Sequence, residues 1–152
     1  MKLLYSLVLT LGVGAIAGLA TASSIGGWYA TLSKPYFNPP NWIFGPVWTL
    51  LYILMGIALS LIWNQPTSLG RSNSLWLFSI QLFLNFVWSF IFFYFHRIGL
   101  GFVDIVAVWI FIILTIFSFS RLNKKSAWLL LPYICWVSFA LILNVAIYRL
   151  NP

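Results

Sequence analysis

Long apolar runs broken by short polar segments set the pattern of this chain. Leu3 to Ser33, Pro35 to Gly70 and Ser126 to Tyr148 carry no charged side chain. A membrane-spanning helix needs about 20 apolar residues, whereas a barrel strand needs about ten with alternating polarity. The runs here are long and continuous. In lipid each backbone polar group must find an internal partner, so these runs resolve as helices. The pattern predicts five, over Leu3–Ser24, Ile43–Trp63, Ser74–Phe95, Leu100–Ser120 and Ser126–Tyr148. The expected fold class is an all-α integral membrane protein, a single bundle of five transmembrane helices spanning residues 1–152.

The segments between the runs differ in character. Gly26 to Asn41 holds Pro35, Pro39, Pro40 and Lys34, which oppose a continuous helix. It also holds Trp28, Tyr29, Tyr36 and Phe37, so it should lie on the membrane surface or over the mouth of the bundle. Gln65 to Asn73 reads as a polar loop, His96 to Gly99 as a tight turn, and Arg121 to Lys125 as a basic loop. The first run has some marks of a signal peptide, with Lys2 ahead and Ala20-Thr21-Ala22 behind. Its apolar stretch exceeds the usual 7–15 residues or so, which favours a spanning helix. Gly14, Gly18 and Ala22 share one face of it, where small side chains let helices approach closely within the bundle or between subunits.

Composition sharpens the class. Hydrophobic residues make up 62% and charged residues 6%, against roughly 45–50% and 25% in soluble domains. The net charge of +7 comes from eight Lys and Arg against one acid, Asp104. These cations are scattered between the runs rather than clustered, so they are interfacial anchors and no nucleic-acid partner is expected. Lys2, Arg71, Arg121, Lys124 and Lys125 fall on one side of the membrane, and Lys34, Arg97 and Arg149 on the other. In a bacterial inner membrane that asymmetry favours a cytoplasmic N-terminus. Cys135 is the only cysteine, so no intramolecular disulfide forms, and the lone His96 gives no metal cluster. No acid pair or glycine-rich phosphate loop appears, which argues against hydrolytic and phosphoryl chemistry. Binding or transport, without a cofactor, is the expectation.

Polar residues at membrane depth carry the site prediction. Asp104 lies about one turn into the fourth helix, where an acid is either a structural ion-pair partner or a ligand or proton site. Gln81, Asn85, Trp88, Ser89 and Phe92 recur at helical spacing and form one stripe. Trp136, Ala140, Leu143 and Asn144 repeat it on the fifth helix, and Trp48, Tyr52, Met55 and Leu59 on the second. Amide side chains facing lipid would lack partners, so Asn85 and Asn144 should turn inward. There they either join helices or orient a ligand in an aromatic cavity. Trp28, Trp42, Trp63 and Trp76 fall at predicted helix ends as an aromatic belt. Trp48, Trp88, Trp109 and Trp136 lie deeper, and a cavity with aromatic walls suits a flat apolar ligand such as a porphyrin or sterol.

Trp28 to Gly56 reads WYATLSKPYFNPPNWIFGPVWTLLYILMG, followed by QLFLNFVWSFIFF from Gln81, Val103-Asp104-Ile105, and LLLPYICWVSFALILN from Leu129. These strings resemble the translocator protein family, also called tryptophan-rich sensory proteins, along all five predicted helices. The resemblance implies a homodimeric five-helix bundle whose first linker folds over a pocket for protoporphyrin IX and other tetrapyrroles. It also implies sterol and benzodiazepine-type ligands in many members. By motif the pocket would include Tyr29, Trp48, Asn85, Trp136 and Ala140, with Trp88 and Asn144 joining from the stripes. Lys34 or Arg97 would pair with tetrapyrrole propionates at its mouth. Asp104 matches a family acid of open role. The sterol pattern that animal members carry late in the fifth helix fails here, because Arg149 follows Tyr148 with no spacer. The family's topology opposes the charge asymmetry, so inner and outer membrane both stay open. A tetrapyrrole receptor or transporter is the leading expectation. The alternatives are an enzyme degrading porphyrin in light through Trp48 and Trp136, and a structural or regulatory membrane protein.

Overall fold

The computed structural model describes all 152 residues. Five helices are long and apolar enough to cross a membrane: Lys2–Ile25, Asn41–Trp63, Leu69–Tyr94, Ile98–Leu122 and Lys124–Leu150. In chain order the elements are α1 (Lys2–Ile25), α2 (Trp28–Thr31), α3 (Asn41–Trp63), α4 (Leu69–Ser89), α5 (Ile98–Leu122), α6 (Lys124–Leu129) and α7 (Leu131–Leu150). The third span ends in a π-helical turn over Phe90–Tyr94, and the fifth is α6 and α7 joined at Leu130.

Local chemistry explains where the helices depart from the hydropathy pattern. α4 starts at Leu69 rather than Ser74 because Ser68 caps it, its side chain accepting from the Arg71 backbone N–H. The Arg71 guanidinium then donates to the Gln65 carbonyl at 2.9 Å, drawing the polar loop into the first turn. α6 starts at Lys124 because Asn123 accepts from the N–H groups of Lys125 and Ser126. Pro132, with no N–H to donate, sits in the first turn of α7, which accounts for the break at Leu130. The linker is not wholly irregular, since the turn α2 forms inside it before the prolines begin.

α4 closes with the backbone N–H of Arg97 on the Ile91 carbonyl at 2.9 Å, and His96 between them has a positive φ of 58°. The left-handed position that ends a helix usually takes glycine. The His96 ring stacks on Trp28 at 4.2 Å, so contact with the linker offsets the strain.

α1 and α3 meet closely at one end of the bundle. There Thr10, fully buried, donates to the Tyr52 carbonyl at 2.8 Å. α5 joins α7 through Trp109 Nε1, which donates to Ser138 Oγ at 2.8 Å. The largest core cluster runs from Leu51 and Met55 on α3 through Phe78 and Ile112 to Tyr133 and Val137 on α7. A second, smaller one lies under the linker and holds Tyr29, Phe92, Phe93, Leu143 and Ile147.

Candidate ligand-binding chamber

An apolar chamber lies at the linker end of the bundle, against the smaller core cluster. Trp48 on α3, Trp88 on α4 and Trp136 with Ala140 and Asn144 on α7 line it, along with Tyr29 from the linker. Eleven of its thirteen lining residues are hydrophobic, so it selects an apolar occupant. Its free volume is about 30 Å³, whereas drug-sized ligands fill sites of roughly 300–1,000 Å³. The chamber is therefore narrow, and any sizeable ligand must displace aromatic side chains to enter.

Each wall has a local cause. On α7, Trp136, Ala140, Leu143, Asn144 and Ile147 fall on one face at three- and four-residue spacing. Asn144 is held there by two bonds, accepting from Trp88 Nε1 at 3.3 Å and donating to the Ile98 carbonyl at 3.2 Å. It joins three helices as well as lining the chamber. Trp136 lines the chamber, and its Nε1 is buried with no hydrogen-bond partner. Tyr29 is buried and donates to Asn38 Oδ1 at 2.7 Å, closing the linker on itself. Burial pushes its phenol up to about 12, so near neutral pH it remains a donor.

Four predicted site residues stand elsewhere. Asn85 is buried as expected, but it does not line the chamber. It donates to the Tyr133 hydroxyl at 2.7 Å and accepts from Tyr52 at 3.4 Å, while Tyr133 donates to Gln81 Oε1 at 2.7 Å. This network lies behind Trp48, whose ring is 5.7 Å from Tyr52 and 6.4 Å from Tyr133. Lys34 is not a free cation at the mouth. Its ammonium donates to the carbonyls of Tyr29 at 3.0 Å and Leu32 at 3.1 Å, and lies 5.0 Å from the Tyr29 ring. These carbonyls lie at the C-terminal end of α2, where the Tyr29 oxygen also accepts from the Leu32 N–H. Asp104 does not form the expected bond at Oδ2, which is buried without a partner. Arg97 is exposed at the start of α5, where its carbonyl accepts from Gly101.

The hydropathy pattern missed Phe44, Phe139 and Thr21, which also line the chamber. Phe44 lies inside the quoted aromatic string, and Phe139 lies three residues from Trp136, which was the available signal.

Beside the chamber, between α1 and the first half of α3, is a cleft of about 500 Å³. Thr21, Phe44 and Trp48 line both spaces. Gly14 is not a free contact face, because an added Cβ would lie 2.5 Å from the Tyr52 ring.

Comparison with known proteins agrees with this architecture. A family model described as the TspO/MBR family matches residues 6–149. The chain is 46% identical over 145 residues to the tryptophan-rich protein TspO of Chlorobaculum tepidum, covering 95% of this chain and 92% of that one. It is 44% identical to the tryptophan-rich protein TspO of Archaeoglobus fulgidus, covering 99% and 97%. The translocator protein of Homo sapiens is 36% identical, covering 82% and 75%.

Proposed function

The chain belongs to the TspO/MBR family, a multi-pass membrane protein with a receptor- or transporter-like role, and from that premise we propose that it binds tetrapyrroles such as protoporphyrin IX. The supporting observation is the chamber itself. Trp48, Trp88 and Trp136 surround one apolar space under the linker, and Trp136 keeps a buried N–H without a partner. A flat ring fits between indole faces through offset stacking, and an acceptor on its edge would satisfy that N–H. Phe44 and Trp48, which also line the adjoining cleft, are the walls that would move to widen the narrow chamber.

Propionates would reach Arg97, which is exposed. Lys34 would join only by leaving its backbone carbonyls. A homodimer belongs to this proposal, formed on a face other than Gly14, which packs inside the protomer.

The experiment is a dark titration of the purified protein with protoporphyrin IX, read by tryptophan quenching. Empty micelles, Trp48→Phe and Trp136→Phe serve as controls. Saturable quenching weakened about tenfold in each variant is expected, the size of one lost aromatic contact with its N–H. Linear quenching that matches empty micelles would sink the proposal.

Trp48 and Trp136 on the chamber wall also support a second proposal, an enzyme that degrades porphyrin in light. Repeating the titration under illumination separates the two. A new absorbing product that is lost in Trp136→Phe while dark binding persists favours catalysis. An unchanged spectrum favours binding alone.

A further inference from the structure

The narrow chamber must widen to admit a ligand, and a roomier cleft lies beside it. The chamber holds about 30 Å³ and the α1–α3 cleft about 500 Å³. Phe44 and Trp48 stand between them as shared walls.

The two helices splay towards that end. At Gly56 an added Cβ would meet the Leu7 backbone at 3.1 Å, and at Gly14 it would meet the Tyr52 ring at 2.5 Å. One turn further along α1, a Cβ at Gly18 would meet nothing within 4 Å. Gly18, Gly45 and Thr49 line the cleft and are exposed. Since both helices are spans, the cleft opens towards the bilayer.

Phe44 is placed to move. It lies in the first turn of α3, ahead of Pro46. Pro46 has no N–H, so the Trp42 carbonyl loses its partner and the turn carrying Phe44 is weakly tied to the rest of the helix. The ring is half-buried, holding Tyr29 at 6.4 Å and Trp136 at 6.1 Å by edge contacts only.

The linker side is more firmly closed. The Asn151 amide donates to the Ser33 carbonyl at 2.8 Å, and its oxygen accepts from the Ser33 N–H at 3.1 Å. Lys34 and Asn38 close the same segment from within.

We propose that apolar ligands enter the chamber sideways from the bilayer, through the cleft between α1 and α3, with Phe44 as the gate. This rests on the chamber being the ligand site, and it supplies the route. A ligand already dissolved in the bilayer would need no passage through water.

The test follows chamber access without any porphyrin. Ala140→Cys in a Cys135→Ser background places one thiol on the chamber wall, and N-phenylmaleimide dissolved in proteoliposomes reports its accessibility. Gly18→Leu fills the cleft where nothing is displaced, and an unchanged melting temperature shows that the fold is kept. Gly18→Leu should slow labelling about tenfold and Phe44→Ala should speed it by a similar factor, the ordinary range for altered entry. Asn151→Ala, which frees the linker, should leave the rate unchanged. Equal rates in Gly18→Leu and its parent overturn the route, and faster labelling in Asn151→Ala would then place entry under the linker. A thiol that stays unlabelled in Phe44→Ala overturns the gate. Disulfide-linked dimers of Gly18→Cys, in the same Cys135→Ser background, would put a second copy over the cleft and overturn lateral entry. Because the probe is a maleimide, failure here is distinct from failure of the porphyrin titration.

Discussion

Gly56→Leu is expected to abolish the stable fold in mild detergent, read as a lost or strongly lowered thermal transition by circular dichroism. An added Cβ at Gly56 would sit 2.8 Å from Leu7 Cδ2, 2.8 Å from Thr10 Oγ1 and 3.1 Å from Leu7 Cα. The first atom ends a flexible side chain, but the other two cannot yield easily. Thr10 is fully buried and holds the Tyr52 carbonyl at 2.8 Å, and Leu7 Cα is backbone. α1 must therefore move away from α3 and give up both the hydrogen bond and the close packing. Overpacking costs about 1–3 kcal/mol and occasionally more. A leucine forced against backbone belongs at the upper end. Gly18→Leu on the same pair of helices is the control, because it meets open space and should melt like the parent. Equal melting of Gly56→Leu and Gly18→Leu would mean that α1 and α3 are not locked at this end.

The second large effect belongs to Tyr133. Its hydroxyl is the centre of the buried polar network, accepting from Asn85 and donating to Gln81, both at 2.7 Å. All three side chains are at least 98% buried, so water cannot replace a lost partner. Tyr133→Phe removes one oxygen and leaves an amide N–H and an amide carbonyl unpaired. Each orphaned group costs about 1–3 kcal/mol in a dry interior, although membrane hydrogen bonds average about 0.6 kcal/mol. A loss of about 2 kcal/mol is expected, measured by unfolding in mixed micelles with increasing dodecyl sulfate. Gln81→Met should be nearly neutral, because Gln81 Nε2 already lacks a partner and its removal offsets the lost bond. With Gln81→Met in place, Tyr133→Phe orphans one group fewer and should cost less than it does alone. Strict additivity would mean that Tyr133 and Gln81 are not coupled.

That network also marks the boundary of what the residues alone reveal about the site. Periodicity on α4 and α7 was enough to put Asn85, Trp88, Trp136 and Asn144 on inward stripes, because an amide facing lipid has no partner. It was not enough to separate a ligand contact from a brace. Asn85 and Asn144 have the same chemistry and similar depth. Asn144 reaches the chamber and Asn85 is sealed behind Trp48, since Tyr52 and Tyr133 happen to converge on Asn85 from two other helices. Lys34 illustrates the same difficulty at the surface. A lysine in a proline-rich linker looks like an anion clamp until the turn at α2 supplies carbonyls within its reach.

By itself the sequence determined the class of fold and the number of spans. Apolar length and the absence of charge are properties of each segment alone, and lipid leaves a helix as the only way to satisfy the backbone of an isolated run. The aromatic strings that carry the family resemblance were likewise legible in order along the chain. Tertiary structure decided everything that depends on how helices diverge. Gly14 and Gly18 are one turn apart on α1 and equivalent in any pattern, yet one is pressed against Tyr52 and the other borders open space. That difference arises from the angle between α1 and α3, which is set by the close contact at Gly56 and Thr10. No periodicity encodes such an angle, because it comes from packing between residues more than 40 positions apart, Thr10 and Tyr52 among them.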